Sequence, residues 1–206
     1  MLVDKNMEKI RPDAILFDMD GVLVDSLDSW WKSLNASFRK YNESEISREE
    51  FIKKYWGRDL QYNLKHMGLS YEILSFCNVV YGNYVDVVKI YPDTKSTLEE
   101  LSDYKKAIIT NTPKGCAVQI VKNLGLESFF DNVFTADEVS MGKPSPEIVL
   151  KACSFLDVEP ENVIVVGDTV SDIEAGHAAG CKVVGVKIDA DYRVESLSEL
   201  LDVLDF

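Results

Sequence analysis

Long apolar runs are missing from this 206-residue chain: none approaches the roughly 18 residues that a membrane-spanning helix requires, so no membrane partner is expected. Positive charge is scarce. Lysine and arginine number 22 against 35 aspartates and glutamates, and the net charge of −13 opposes long polyanions, so no nucleic-acid partner is expected either. A small anionic substrate stays compatible with that balance if a few cations converge locally. Cysteine is sparse and unpatterned. Cys77, Cys116, Cys153 and Cys181 form no C-x-x-C pair, which matches neither a disulfide framework nor a zinc site. With only His66 and His177 available as bases, Cys116 is a poor candidate nucleophile despite following Pro113 and Gly115. The opening M-L-V-D-K-N-M-E-K-I-R-P mixes charges where a secretion signal needs an apolar core, so a cytoplasmic location with reduced thiols is expected. The sequons at Asn35 and Asn42 would be idle there. Internal repeats and low-complexity stretches are absent too.

What is present follows two patterns. Ala14 to Phe17 is too short for a helix and too apolar for an exposed segment, so it reads as a buried strand. Leu27, Trp30, Trp31, Leu34, Phe38 and Tyr41 then recur every three or four residues, as on one helix face. Ser47 with Glu50 forms a capping box ahead of Phe51, Ile52, Tyr55 and Trp56, so a second helix is expected there, running to Gly57. A third carries Leu60, Leu64 and Met67 and ends at Gly68, and a fourth spans Ser70 to Lys89 with Tyr71, Leu74, Cys77, Tyr81, Tyr84 and Val88 on one stripe. From Tyr91 onward strands and helices alternate: strands at 107–110, 132–135, 162–166 and 182–186, helices after Pro92, Pro113, Pro146 and Ser171. Such alternation implies a parallel sheet with helices on both faces. The expected fold is therefore α/β, a Rossmann-like three-layer α/β/α core over residues 1–22 and 90–206, with an inserted all-α cap over 23–89. The joints near Val22 to Ser26 and Lys89 to Pro92 are the natural hinges.

Four polar clusters fall at the ends of strands or in the loops that follow them: Asp18 and Asp20, Thr110 and Asn111, Lys143, and Asp168 with Asp172. Any one could cap a turn or, for Lys143, sit in solvent. A parallel sheet, however, brings all these ends to one edge, where an open α/β sheet has its crevice. Carboxylates gathered there repel unless a cation lies among them, and hard oxygen ligands suit Mg²⁺. A phosphate group is the natural partner of such a site, with Lys143 and the hydroxyl of Thr110 facing its oxygens.

These residues carry a family resemblance. D-M-D-G-V-L-V-D from Asp18, I-T-N-T from Ile109, G-K-P-S-P-E from Gly142 and G-D-T-V-S-D from Gly167 resemble, in order, the four motifs of the haloacid dehalogenase superfamily. The helical block resembles the cap of the subgroup holding phosphoglycolate phosphatases, pyrophosphatases and β-phosphoglucomutases. The resemblance implies a Mg²⁺-dependent phosphatase for a small phosphorylated metabolite, with phosphomutase and inorganic pyrophosphatase as the alternatives. It implies Asp18 as nucleophile forming an aspartyl phosphate, and Asp20 as general acid/base. It further implies metal ligation by Asp18, Asp168 and the backbone carbonyl of Asp20, with Asp172 a ligand or a holder of metal-bound water. Phosphoryl binding falls to Thr110, Asn111 and Lys143, and Lys143 also counts as catalytic. The turn Trp56-Gly57-Arg58-Asp59 resembles the specificity loop of this cap class, so Gly57 and Arg58 would contact the substrate, Arg58 at a second anionic group. Dehalogenases lack a carboxylate at the position of Asp20, which argues against that chemistry. Asp93 departs from the glycine that often follows the hinge proline. Monomer and homodimer both stay open.

Overall fold

An apolar strand with no polar position must be covered on both faces, and Ala14–Phe17 (β1) is buried throughout. The computed structural model describes residues 9–56 and 70–205, and β1 lies inside a six-stranded parallel sheet. The remaining members are Lys105–Thr110 (β4), Asn132–Thr135 (β5), Val163–Gly167 (β6), Lys182–Val186 (β7) and Tyr192–Val194 (β8). The order is β5-β4-β1-β6-β7-β8. Chain order reverses at β1, with β4 and β5 to one side and β6 onward to the other, so the ligand crevice of such a sheet falls at its carboxyl end. Register sets Phe17 beside both Ile108 and Val166, and the residues that follow the three strands therefore emerge side by side.

Side chains alternate between two apolar layers. Ile15, Phe17, Ile108 and Val166 face one, against Leu98 of Thr94–Glu100 (α4) and Ile120 and Val121 of Lys114–Asn123 (α5). Leu16, Ile109 and Val165 face the other, against Ile148, Val149 and Ala152 of Glu147–Leu156 (α6) and Ala175 of Val170–Ala179 (α7). Leu200–Val203 (α8) closes the chain onto the first layer. On α5, Val118 is 46% exposed and Ala117 is buried.

Between β1 and β4 the described residues form helices and their connections inside a short ribbon. Val24–Asp25 (β2) and Lys89–Ile90 (β3) pair antiparallel, Val24 opposite Ile90. Within lie Leu27–Lys40 (α1), Arg48–Lys54 (α2) and Tyr71–Tyr81 (α3). Trp30, Leu34 and Phe38 face inward from α1 as their spacing predicts, and Trp30 stacks on Tyr81 at 3.9 Å between centroids. Ser29, Ser33 and Ser37 share that helix's buried side and satisfy their hydroxyls on the carbonyls of Tyr84, Ser29 and Ser33, so none of these three hydroxyls is stranded by the close packing. Ser47 caps α2 by accepting from the Glu50 N–H at 3.1 Å, whereas the Glu50 carboxylate turns to Lys54.

The expected helix to Lys89 is shorter. It stops at Tyr81 and gives way to a 3-10 turn over Gly82–Val87 and then to β3. Gly82 weakens the helix and the valines at 85, 87 and 88 favour extended backbone. Tyr71 is 79% exposed, and Ile73, Cys77, Val80 and Tyr81 fill the buried stripe. The helix expected over Leu60 to Met67, with Gly57 and Arg58, lies outside the described residues. Among the described residues no helix is long and apolar enough to cross a membrane.

Candidate active site

The ladder that fixes β1 also fixes its first acid. The Asp18 N–H donates to the Val166 carbonyl at 2.8 Å, extending the β1–β6 pairing one residue beyond the strand. Gly21 then turns the chain at φ +88°, a left-handed conformation that favours glycine. A Cβ there would also fall 1.9 Å from Asp168 Oδ2, so glycine is required twice over. The loop after β5 delivers Lys143, whose Nζ donates to Asp18 Oδ1 at 2.7 Å, Asp172 Oδ1 at 2.6 Å and the Ile109 carbonyl at 3.0 Å. All three ammonium donors are thereby used, and Lys143 and Asp18 are both buried. Asp172 sits in the first turn of α7, where its Oδ2 accepts from the Thr169 N–H at 3.0 Å and hydroxyl at 2.6 Å in a capping box.

Asp20 is held differently. Its Oδ2 accepts from the hydroxyls of Thr112 at 2.7 Å and Thr110 at 3.3 Å, and the Thr112 N–H donates back to Thr110 Oγ1 at 3.0 Å. Its Oδ1 is buried with no partner, as are Ser26 Oγ and Tyr81 Oη. Thr112 was not singled out from the sequence, although its place two residues after Thr110, past the same strand, puts both hydroxyls on one side of the turn. The Asn111 carboxamide binds the Lys143 backbone, donating to its carbonyl at 2.8 Å and accepting from its N–H at 2.9 Å. Gly142 lets that loop approach, since a Cβ there would lie 2.4 Å from Asn111 Oδ1.

Asp18, Asp168 and Asp172 each present a carboxylate oxygen within 4.8 Å of the others. Burial raises the Asp18 pKa well above the usual carboxylate range; Lys143 opposes the rise, and Asp172, Asp168 and Asp20 add to it. Asp168 is pushed up to about 8, by burial first and then by Asp172. Burial disfavours the charged form of Lys143, but Asp172 and Asp18 outweigh it and hold the ammonium protonated. Among the described residues the cluster is thus short of positive charge: Lys143 serves Asp18 and Asp172, and Asp168 Oδ1 is buried without a partner. Three hard oxygens so arranged fit a divalent cation. Cys116, half-buried nearby, has its thiol pushed up by burial and then by Asp137 and Asp20, which disfavours a nucleophilic thiolate.

Comparison with known proteins supplies the family. Residues 15–186 match the model of haloacid dehalogenase-like hydrolases. A phosphoglycolate phosphatase of Haemophilus influenzae is 31% identical over 195 residues, covering 86% of this chain and 87% of that protein. A pyrophosphatase PpaX of Bacillus velezensis is 30% identical over 209 residues, covering 94% and 96%. Among solved structures, a HAD-superfamily hydrolase of subfamily IA from Geobacter sulfurreducens superimposes with a TM-score of 0.80 at 24% identity, covering 94% of this chain and all of that one. The match runs from β1, with its two acids, to the end of β7, and on that evidence the chain belongs to the haloacid dehalogenase-like hydrolases.

Proposed function

We propose that this chain is a Mg²⁺-dependent phosphatase that hydrolyses a small phosphorylated metabolite through an aspartyl phosphate on Asp18. The observation that carries the reading is the unequal treatment of two acids two residues apart: Asp18 is gripped by Lys143, Asp20 by two threonine hydroxyls. Asp18 attacks phosphorus and the bond to the leaving oxygen breaks, while Asp20 gives that oxygen its proton. Water then attacks the acylphosphate, Asp20 takes the water's proton, and free phosphate leaves with Asp18 regenerated. Two easier displacements replace one hard one. Lys143 favours the ionised form of Asp18 against the effect of its burial and opposes charge on the phosphoryl oxygens, which collects there in a metaphosphate-like transition state. Thr110 completes the clamp; with the Asn111 carboxamide committed to the Lys143 loop and the Thr112 N–H to Thr110 Oγ1, Asn111 contributes through its backbone. Asp18, Asp168 and Asp172, with the Asp20 carbonyl, would hold Mg²⁺, which when bound neutralises the phosphate and the carboxylates together.

Residues 23–89 serve as a cap on a core formed by 1–22 and 90–206, and the β2–β3 ribbon is its hinge. The relatives named for phosphoglycolate and pyrophosphate share substrates with a second anionic group beside the phosphoryl, which supports Arg58 as its reader. A cytoplasmic enzyme, monomer or homodimer, suits this chemistry.

A phosphate-release panel spanning 2-phosphoglycolate, pyrophosphate, sugar phosphates and nucleoside monophosphates tests the reading. Hydrolysis should require Mg²⁺, stop with EDTA and fall at least about a thousandfold in Asp18→Asn. Arg58→Ala should raise KM chiefly for doubly anionic substrates. Robust hydrolysis by Asp18→Asn would contradict the assignment, and conversion of β-glucose 1-phosphate to glucose 6-phosphate without free phosphate would make the enzyme a mutase.

A further inference from the structure

We propose that Thr112 is a positioning residue for the acid half of the reaction: its hydroxyl pins Asp20 Oδ2 and leaves Oδ1 as the oxygen that meets the leaving group. The inference rests on the phosphatase reading above and adds a residue and an atom to it. Two hydroxyls reach Asp20 Oδ2, but unequally, Thr112 at 2.7 Å and Thr110 at 3.3 Å. The shorter bond is the one that sets the carboxyl's rotation. Thr112 is itself rigid, buried at 2% exposure on the turn just past β4, with its N–H spent on Thr110 Oγ1. Its β-branched side chain has few rotamers to lose, so it offers a fixed donor at little entropic cost. Asp20 Oδ1, by contrast, is buried and has no partner. The Tyr81 hydroxyl lies close to the same carboxyl without hydrogen-bonding geometry to it, so Oδ2 is the oxygen taken up by donors and Oδ1 the one left to present to a substrate oxygen. Loss of the Thr112 hydroxyl frees the carboxyl to rotate, and general acid catalysis falls off steeply with misalignment.

The consequence depends on the leaving group, which a merely structural role would not produce. An alkyl phosphate expels a basic alkoxide and needs the proton of Asp20. p-Nitrophenyl phosphate expels a phenolate that is stable without it. Because kcat/KM reports the steps up to formation of the phosphoenzyme, it isolates this proton transfer from the later water attack. Wild type, Asp18→Asn, Thr112→Val, Thr112→Ala and Thr112→Ser are assayed with Mg²⁺ on both substrate types, with thermal melts to show that each variant is folded. Thr112→Val is close in shape and removes the hydroxyl; Thr112→Ala repeats the removal should valine be poorly accommodated. Both should lose about ten- to a hundredfold in kcat/KM for the alkyl phosphate and less than about threefold for p-nitrophenyl phosphate. Thr112→Ser, which keeps the donor, should restore most of the alkyl activity. Equal losses on both substrates, no loss on either, or no rescue by serine would overturn the role of Thr112 while hydrolysis by wild type and its loss in Asp18→Asn kept the phosphatase reading intact. Absence of hydrolysis by wild type, or its persistence in Asp18→Asn, would overturn both.

Discussion

Asp168 shows how much a single residue concedes to the site. Its pKa of about 8 against an ordinary 3.8 comes from burial and from Asp172, so the folded chain holds this proton more tightly than the unfolded chain does. Stability from this group is therefore complete below about pH 4 and is lost as pH rises through about 8. A cation on the same carboxylates competes with the proton, so Mg²⁺ should raise the melting temperature little near about pH 6 and much more near about pH 8.5. A Mg²⁺-induced shift that shrank as pH rose would contradict the placement. Asp168→Asn should melt higher than metal-free wild type at the upper pH and ignore Mg²⁺. Asp18, Asp20 and Asp168 could be picked out in sequence because each lies just past an apolar run, and Lys143 and Asp172 because they follow later strands in the loop or first helical turn. The aim of a short side chain could not. Asn111 turned to the Lys143 loop and Thr112 to Asp20 because the turn after β4 sets their directions, and no spacing encodes that.

At the scale of elements, close approach is bought with small residues. A Cβ on Gly176 of α7 would lie 2.6 Å from Val183 Cγ2 and 3.3 Å from Val165 Cβ, so this helix rests on β6 and β7 through a glycine. Gly176→Ala gains about 1 kcal/mol in helix propensity, while overpacking a stiff valine face costs about 1 to 3 kcal/mol. Net destabilisation of the order of 1 kcal/mol should appear as a lower urea midpoint with an unchanged slope; a raised midpoint would contradict it. The strands of the sheet interior were legible because both their faces are apolar, and α1 because its stripe is long. The ribbon of β2 and β3 was not, since two residues carry no period, and β8 is a three-residue edge strand with Arg193 at its centre. The end of α3 eluded the spacing for another reason: Tyr84 and Val88 continue a helical stripe, yet Gly82 and the valines around them decide the backbone.

Across the whole molecule, the inserted helices and one face of the sheet share a single apolar layer that runs from Trp30, Leu34, Phe51 and Tyr81 to Phe17, Ile108 and Val166. The insertion is thus tied to β1 by packing as well as by its two connections, and Tyr81 brings a buried, unpartnered hydroxyl close to Asp20. Alternation of strands and helices made the α/β class readable at this scale, and apolar spacing made the described helices between β2 and β3 readable. Their continuity was not, because it depends on which faces meet. The proposed reaction turns on one claim, that Asp18 takes the phosphoryl group. Turnover of a phosphoglycolate or pyrophosphate substrate, quenched in acid and reduced with borohydride, converts an aspartyl phosphate to homoserine at the modified position. Peptide mass spectrometry should find homoserine at residue 18 in wild type and none in Asp18→Asn; phosphate release by wild type with residue 18 unmodified, or homoserine at another aspartate, would contradict the account.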